Sequence, residues 1–168
     1  MVSSLTAATR SSGGAVAASK PGEVYQADNV DMSSYGQKQR GGHDYILVVV
    51  DVFSRFLMAT PLKDLKQPTV SRALQKIFEE HGTPARCDTD GGKEFQGDTE
   101  AMLKREGVEH SVKTKYGINH LAVVDRAIQK IRTLFAARVI SATGDKARPP
   151  MWDKFLPDIV AGINGAPT

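Results

Sequence analysis

Apolar positions along the chain follow two rhythms, and the change between them falls near residue 65. Before it, the spacing is that of strands. Val24 to Met32 (VYQADNVDM) begins apolar and turns polar at its far end. Tyr45 to Phe53 (YILVVVDVF) is a continuous β-branched run, the pattern of a strand buried on both faces. Ser54-Arg55 makes a short turn, and Phe56 to Leu62 reads as a third strand. Gln37 to Gly42 (QKQRGG) is a loop between the first two, so the three pieces predict an antiparallel meander. Helical spacing then takes over. Val70, Ala73, Leu74, Ile77 and Phe78 fall at i, i+3, i+4, i+7 and i+8, with Pro68 suited to the first turn and His81-Gly82 to the end. Ala85 to Thr89 is a short strand. Asp98 or Thr99 is expected to cap a second helix running through Arg105 and ended by Gly107. Val108 to Thr114 alternates as a fourth or fifth strand. Asn119 is expected to cap a long helix with Leu121, Val124, Ile128, Ile131 and Phe135 on its core side. After a polar break from Gly144 to Pro150, a last helix carries Trp152, Leu156, Ile159, Val160 and Ile163. The order β-β-β-α-β-α-β-α-α predicts an α/β domain, a mixed sheet of five strands flanked by helices.

Composition narrows this reading only slightly. A chain of 168 residues with 40% hydrophobic and 24% charged positions has the makings of one globular domain with a real core. The net charge of +3 is compatible with a polyanionic partner without identifying one. Cys87 is the only cysteine, so neither an internal disulfide nor a cysteine-based zinc site can form, and its place beside a strand predicts a core position. His43, His81, His110 and His120 lack ligand-like spacing. No apolar run approaches the roughly 18 residues a membrane helix needs, so no membrane association is expected. Met1 to Lys20 is rich in Ser, Ala, Thr and Gly, and no acid precedes Glu23. It lacks the apolar middle of a secretory signal, which predicts an intracellular, unsecreted protein. Residues 1–22 read as a flexible linker and 23–168 as the folded domain, one piece of a longer protein. A Ser-rich, acid-poor transit peptide is the other reading of that segment.

The chemistry is carried by acids. Asp28 lies inside the first strand, Asp90 just past the short strand, and Asp125 in the first turns of the long helix. Each alone has an ordinary explanation: a bond to neighbouring backbone, an Asx turn, a favourable place in the helix dipole. Together they suit hard cations, which take oxygen ligands. Two such ions about 4 Å apart can activate an attacking oxygen and stabilise a leaving one in phosphoryl transfer. That arrangement needs convergent carboxylates from separate rigid elements.

Four blocks, QADNVDM, YILVVVDVFSRFLMATPL, TDGGKEF and LAVVDRAIQKI, resemble the catalytic core of retroviral and retrotransposon integrases. The likeness extends to integrases of large self-synthesising DNA transposons and covers roughly Glu23 to Ala166. It implies an RNase-H-like fold and a D, D-x35-E set of metal ligands holding two Mg2+ or Mn2+ ions. On that resemblance Asp28 matches the first ligand and Asp90 the second, because the family motif Asp-x-Gly-x-Glu-Phe falls on Asp90 to Phe95. Asp125 stands where the family has glutamate, with 34 residues between it and Asp90. Asp51 matches a commonly acidic position that is not a principal ligand. Asp31 and Asp88 are expected to be solvated or capping. The substitution of Asp for Glu shortens the reach by one methylene, about 1.5 Å. Ile128 replaces a family asparagine, and the zinc-binding HHCC module and DNA-binding tail are missing from this sequence.

The long helix adds a nucleic-acid signal. Asp125, Gln129 and Arg132 lie at i, i+4 and i+7 on one line, Lys130 flanks it, and Lys113 and Lys115 lie on the approach. The resemblance therefore implies DNA phosphoryl transfer, end nicking followed by strand transfer. The partners would be element ends and target DNA, the assembly a homodimer or higher oligomer, and the compartment nuclear or unknown. A domesticated core kept as a binding or dimerisation module is the alternative, and a nuclease of the same fold is another.

Overall fold

The computed structural model describes residues 16–35, 41–113, 120–142 and 151–166. Five strands, β1 (Val24–Asp31), β2 (Tyr45–Asp51), β3 (Leu57–Leu62), β4 (Arg86–Thr89) and β5 (Glu109–Val112), form one sheet in the order β3-β2-β1-β4-β5. The first three pair antiparallel, whereas β1, β4 and β5 run parallel. Four helices complete the fold: α1 (Gln67–His81), α2 (Asp98–Arg105), α3 (Ala122–Ala142) and α4 (Trp152–Gly165). The mixed α/β architecture is the expected one.

Strand periodicity divides the core in two. Tyr25, Ala27, Leu47 and Val49 point to one face and pack with Val70, Leu74 and Phe78 of α1 and Met102 of α2. Val30, Ile46, Val48 and Val50 point to the other and pack with Val124, Ile128 and Ile131 of α3 and Trp152 and Leu156 of α4. The long apolar run of β2 is thus explained, since both of its faces are covered. Cys87 lies within the first cluster, fully buried, and burial pushes its thiol up to about 12.

The boundaries differ in informative ways. Neither Asp98 nor Thr99 caps α2. Gly97 holds the N-cap position at φ 53, and Asp98 is already in the first turn. The Gln67 side chain of α1 sits in the cap's place, its Oε1 accepting from the Asp98 N–H at 3.4 Å. Thr99 is buried and donates to the Glu94 carbonyl at 2.8 Å. A local cap was displaced by a partner distant in sequence. β5 stops at Val112, and the expected end at Thr114, the Asn119 cap, Lys115, most of the Gln37 to Gly42 loop and the whole Gly144 to Pro150 break lie outside the described residues.

Candidate active site

The parallel half of the sheet brings the three aspartates toward one another. Asp28 sits on the fifth residue of β1, opposite Val48, on the face covered by α3 and α4. Asp90 follows β4 directly, and its Oδ1 accepts from the Gly92 N–H at 2.8 Å, so the expected Asx turn is present. Gly91 between them has φ 76, and a Cβ there would collide with Val112 of β5. Glycine is needed both for the backbone angle and for the close approach. Asp125 is exposed in the first turn of α3.

Burial pushes the Asp28 carboxyl up to about 6. The Asn29 backbone N–H, donating to Oδ1 at 2.8 Å, opposes the rise; Asp90, Asp125 and Glu94 each add to it by repulsion. Four carboxylates from β1, the loop after β4, and α3 therefore share one field. Among the described residues, no three of them close around one point as a finished ligand cage. The donor chemistry nevertheless fits a hard divalent cation: all four are carboxylates, and no sulfur or imidazole is among them.

Two residues that sequence reasoning did not single out shape this site. Gln26, fully buried two residues before Asp28, fastens the start of α3 to β1. Its Nε2 donates to the His120 carbonyl at 2.7 Å, and its Oε1 accepts from the Val123 and Val124 N–H groups at 3.1 Å each. The orphan donors of a helix N-terminus are met by a strand side chain, which sets where Asp125 stands. Glu94 lies in a short 3-10 turn, Lys93–Phe95, anchored by the fully buried Phe95, and its Oε1 accepts from Asn29 Nδ2 at 3.1 Å. A signal for Gln26 existed: a polar residue in a strand, in phase with Asp28.

The remaining candidates are placed as follows. Gln129, Lys130 and Arg132 are exposed on α3. Lys113 is exposed just past β5, its N–H bonded to the Thr89 carbonyl at 2.8 Å, which sets it beside the Asp90 loop. Asp31 caps a turn through the Ser33 N–H. Asp88, expected to be solvated or capping, is instead fully buried and paired with Arg86 Nε at 2.8 Å, because β4 is the interior strand between β1 and β5. Asp51 organises the β2–β3 turn, accepting from the Gly22, Phe53 and Ser54 N–H groups.

Comparison with known proteins agrees with this geometry. Residues 18–117 match the family model described as integrase core domain. A transposon-derived protein of Caenorhabditis elegans is 35% identical over 136 residues, 80% of this chain and 45% of that protein. A chain of the simian T-cell lymphotropic virus intasome superposes with TM-score 0.76 at 20% identity, over 93% of this chain and 53% of its own. The HTLV-2 integrase catalytic core domain, solved with magnesium in a dimeric form, superposes with TM-score 0.65 at 16% identity, over 88% and 89%. The two solved structures share the RNase-H-like fold. The chain spans 45% of the length of the Caenorhabditis elegans relative and 53% of the intasome chain, about half of each.

Proposed function

We propose a function from one fixed point: the chain belongs to the integrase core domain family. It is a divalent-metal-dependent DNA phosphoryl-transfer core, competent for end nicking and strand transfer. The observation that carries this reading is the shared field at Asp28, where Asp90 and Asp125 act on a carboxyl from a different element. Asp28, Asp90 and Asp125 would hold Mg2+ or Mn2+, with Glu94 beside them. Two ions bound there would supply activation of the attacking oxygen and stabilisation of the leaving one. The chain's own residues supply the frame. Asp28 is fixed on an interior strand, Asp90 by its turn, and Asp125 by the Gln26 clamp on α3. Gln129 and Arg132 continue the Asp125 line and would track the phosphate backbone, with Lys113 beside the Asp90 loop; Lys115, two residues on in the sequence, is assigned with them on its charge alone. The magnesium and the dimer of the HTLV-2 core support the same choices of ion and assembly here.

A second reading, a binding or dimerisation module without chemistry, is favoured by Asp125 and Ile128 standing where the family has Glu and Asn. Strand transfer with Mn2+ on short duplexes separates the two, with Asp28→Asn as the blank. We expect weak activity in the unmodified chain that Asp28→Asn abolishes. In a backbone that kept the family's spacing, Asp125→Glu raises activity; in one adapted to Asp it lowers activity through misplacement of the carboxylate. If the unmodified chain and Asp125→Glu both match the blank, the enzymatic reading fails.

A further inference from the structure

The β2–β3 turn and the exposed flank of α3 enclose a cleft that the reading above does not use. It has a volume of about 380 Å³ and is lined by Arg55 and Phe56 of the turn, Lys130 of α3 and Asn164 of α4. A smaller cavity of about 130 Å³ continues it and adds Arg126, with Arg55 and Lys130 lining both. Three cations therefore face one continuous recess. Three described cations have an acidic partner, Arg86 with Asp88, Arg138 with Asp158 and Lys76 with Glu80, and what sets the cleft's three apart is that they converge on one recess. Among the described residues, Arg55, Arg126 and Lys130 have no such partner. Asp51 also lines the cleft, but it is buried and its two oxygens are occupied by three backbone N–H groups.

Arg55 is the one non-glycine residue with positive φ among those described, at 65°. An L-residue is disfavoured there, and glycine would fit without strain. The turn is held in that shape by the Asp51 bonds and by the Arg55 N–H, which donates to the Asp51 carbonyl at 2.8 Å. A strained arginine aimed into a recess shared with two other unpaired cations is the pattern of an anion clamp. Beside it, Phe56 remains 43% exposed and faces the His81 ring at 5.6 Å, an apolar platform of the kind on which bases stack.

Arg126 and Lys130 are spaced i, i+4, so they form a second line on α3, one residue round from Asp125 and Gln129. The smaller cavity thus reaches the helical turn that carries Asp125, through Val123 and Arg126, without being lined by the carboxylates themselves. We propose that this cleft is a second nucleic-acid subsite, in which Arg55, Arg126 and Lys130 hold backbone phosphates of a DNA segment separate from the one tracked by Gln129 and Arg132. The assignment rests on the DNA-processing reading, and it adds a place where a second strand or duplex is held.

The test is equilibrium binding of the whole chain to a short fluorescent duplex and to the matching single strand, in chelator, across a potassium chloride series. The variants are Arg55→Gly, Lys130→Gln and, on the other line, Arg132→Gln. Each lost phosphate contact flattens the slope of log K against log salt by about 0.9 on duplex and about 0.7 on single strand. We expect that change in Arg55→Gly and Lys130→Gln, with affinity falling several-fold. Arg55→Gly should melt at or above the unmodified chain, since it removes the strain. A weaker binder that is not a weaker fold separates a ligand clamp from a structural turn. Lys130→Gln, on an exposed helical position, keeps the test valid should the turn variant misfold. Unchanged slope and affinity in both cleft variants, with Arg132→Gln weakened, overturn the subsite and leave the DNA reading standing. No binding by the unmodified chain overturns both. A change in mass by light scattering with DNA affinity unchanged makes the cleft a protein interface and also overturns the subsite.

Discussion

The Asp28 carboxyl has its ordinary value near 3.8 raised to about 6, first by burial and then by Asp90, Asp125 and Glu94. In the unfolded chain neither cause survives, so the folded state holds the proton more tightly than the unfolded one between those two values. This contribution to stability is complete below pH 4 and is lost as pH rises through 6. Solvent still reaches the group, so the loss is roughly 1–2 kcal/mol rather than the full shift. With chelator present, thermal melting should show this decline, and Asp28→Asn should remove it and raise Tm at pH 7.5. Millimolar Mg2+ should restore the unmodified chain at that pH, because ions bound only by the folded state stabilise it by mass action. A melting curve indifferent to both pH and Mg2+ would remove the mutual repulsion on which the site reading depends. At this scale the three aspartates were legible in the sequence, since acids set beside apolar runs are conspicuous. Glu94 was visible within its motif, but its approach to Asp28 depends on the Asn29 bond across the sheet.

Helix α3 shows how an element takes its position from another. Its core stripe of Val124, Ile128, Ile131 and Phe135 followed from 3.6-residue spacing and is buried as expected. The expected Asn119 cap lies outside the described residues, and spacing gave no sign of Gln26, which meets the first turn from more than ninety positions away. The displaced cap of α2 has the same cause, with Gln67 standing in for a local side chain. Local capping rules assume a local partner and fail where tertiary contact supplies a better one. Gln26→Ala would leave the His120 carbonyl and the Val123 and Val124 N–H groups unmet in a buried place. We expect a loss of about 3 kcal/mol, measured by urea unfolding, from several buried polar groups that each cost about 1–3 kcal/mol and do not add fully. Hydrogen exchange should speed first at Val123 and Val124 while the α1 amides hold. Uniform acceleration across both helices would show that Gln26 supports the whole fold and does not specifically seat α3.

On the scale of the whole molecule, the two-sided core follows from the sequence because β2 alternates between faces, and each face has its own helix pair. What the periodicity of α4 left open was how much of its apolar surface the domain itself would use. Trp152, Leu156 and Ile159 are buried, and Val160 and Ile163 pack partly against the same cluster. The surplus lies on the neighbouring helix instead. Leu134 remains 41% exposed and Ile140 78% exposed on α3. A recess of about 290 Å³ between the two helices is lined by Leu134 and Ala137 of α3 and Ile159 and Gly162 of α4, with Arg138 and Asp158 also on its wall. An apolar groove between two adjacent helices, with Ile140 exposed further along α3, is costly to leave in water and suits a self-complementary contact, in which each copy offers the same groove to the other. We therefore expect a homodimer through α3 and α4, seen by light scattering at high micromolar concentration. Leu134→Asp with Ile140→Asp should give a monomer of unchanged helical content, because neither side chain is part of the buried core. A monomer in the unmodified chain at that concentration sinks the prediction. A dimer untouched by the double substitution moves the contact to another face, where Phe53, 49% exposed at the β2–β3 turn, is the next apolar group to test.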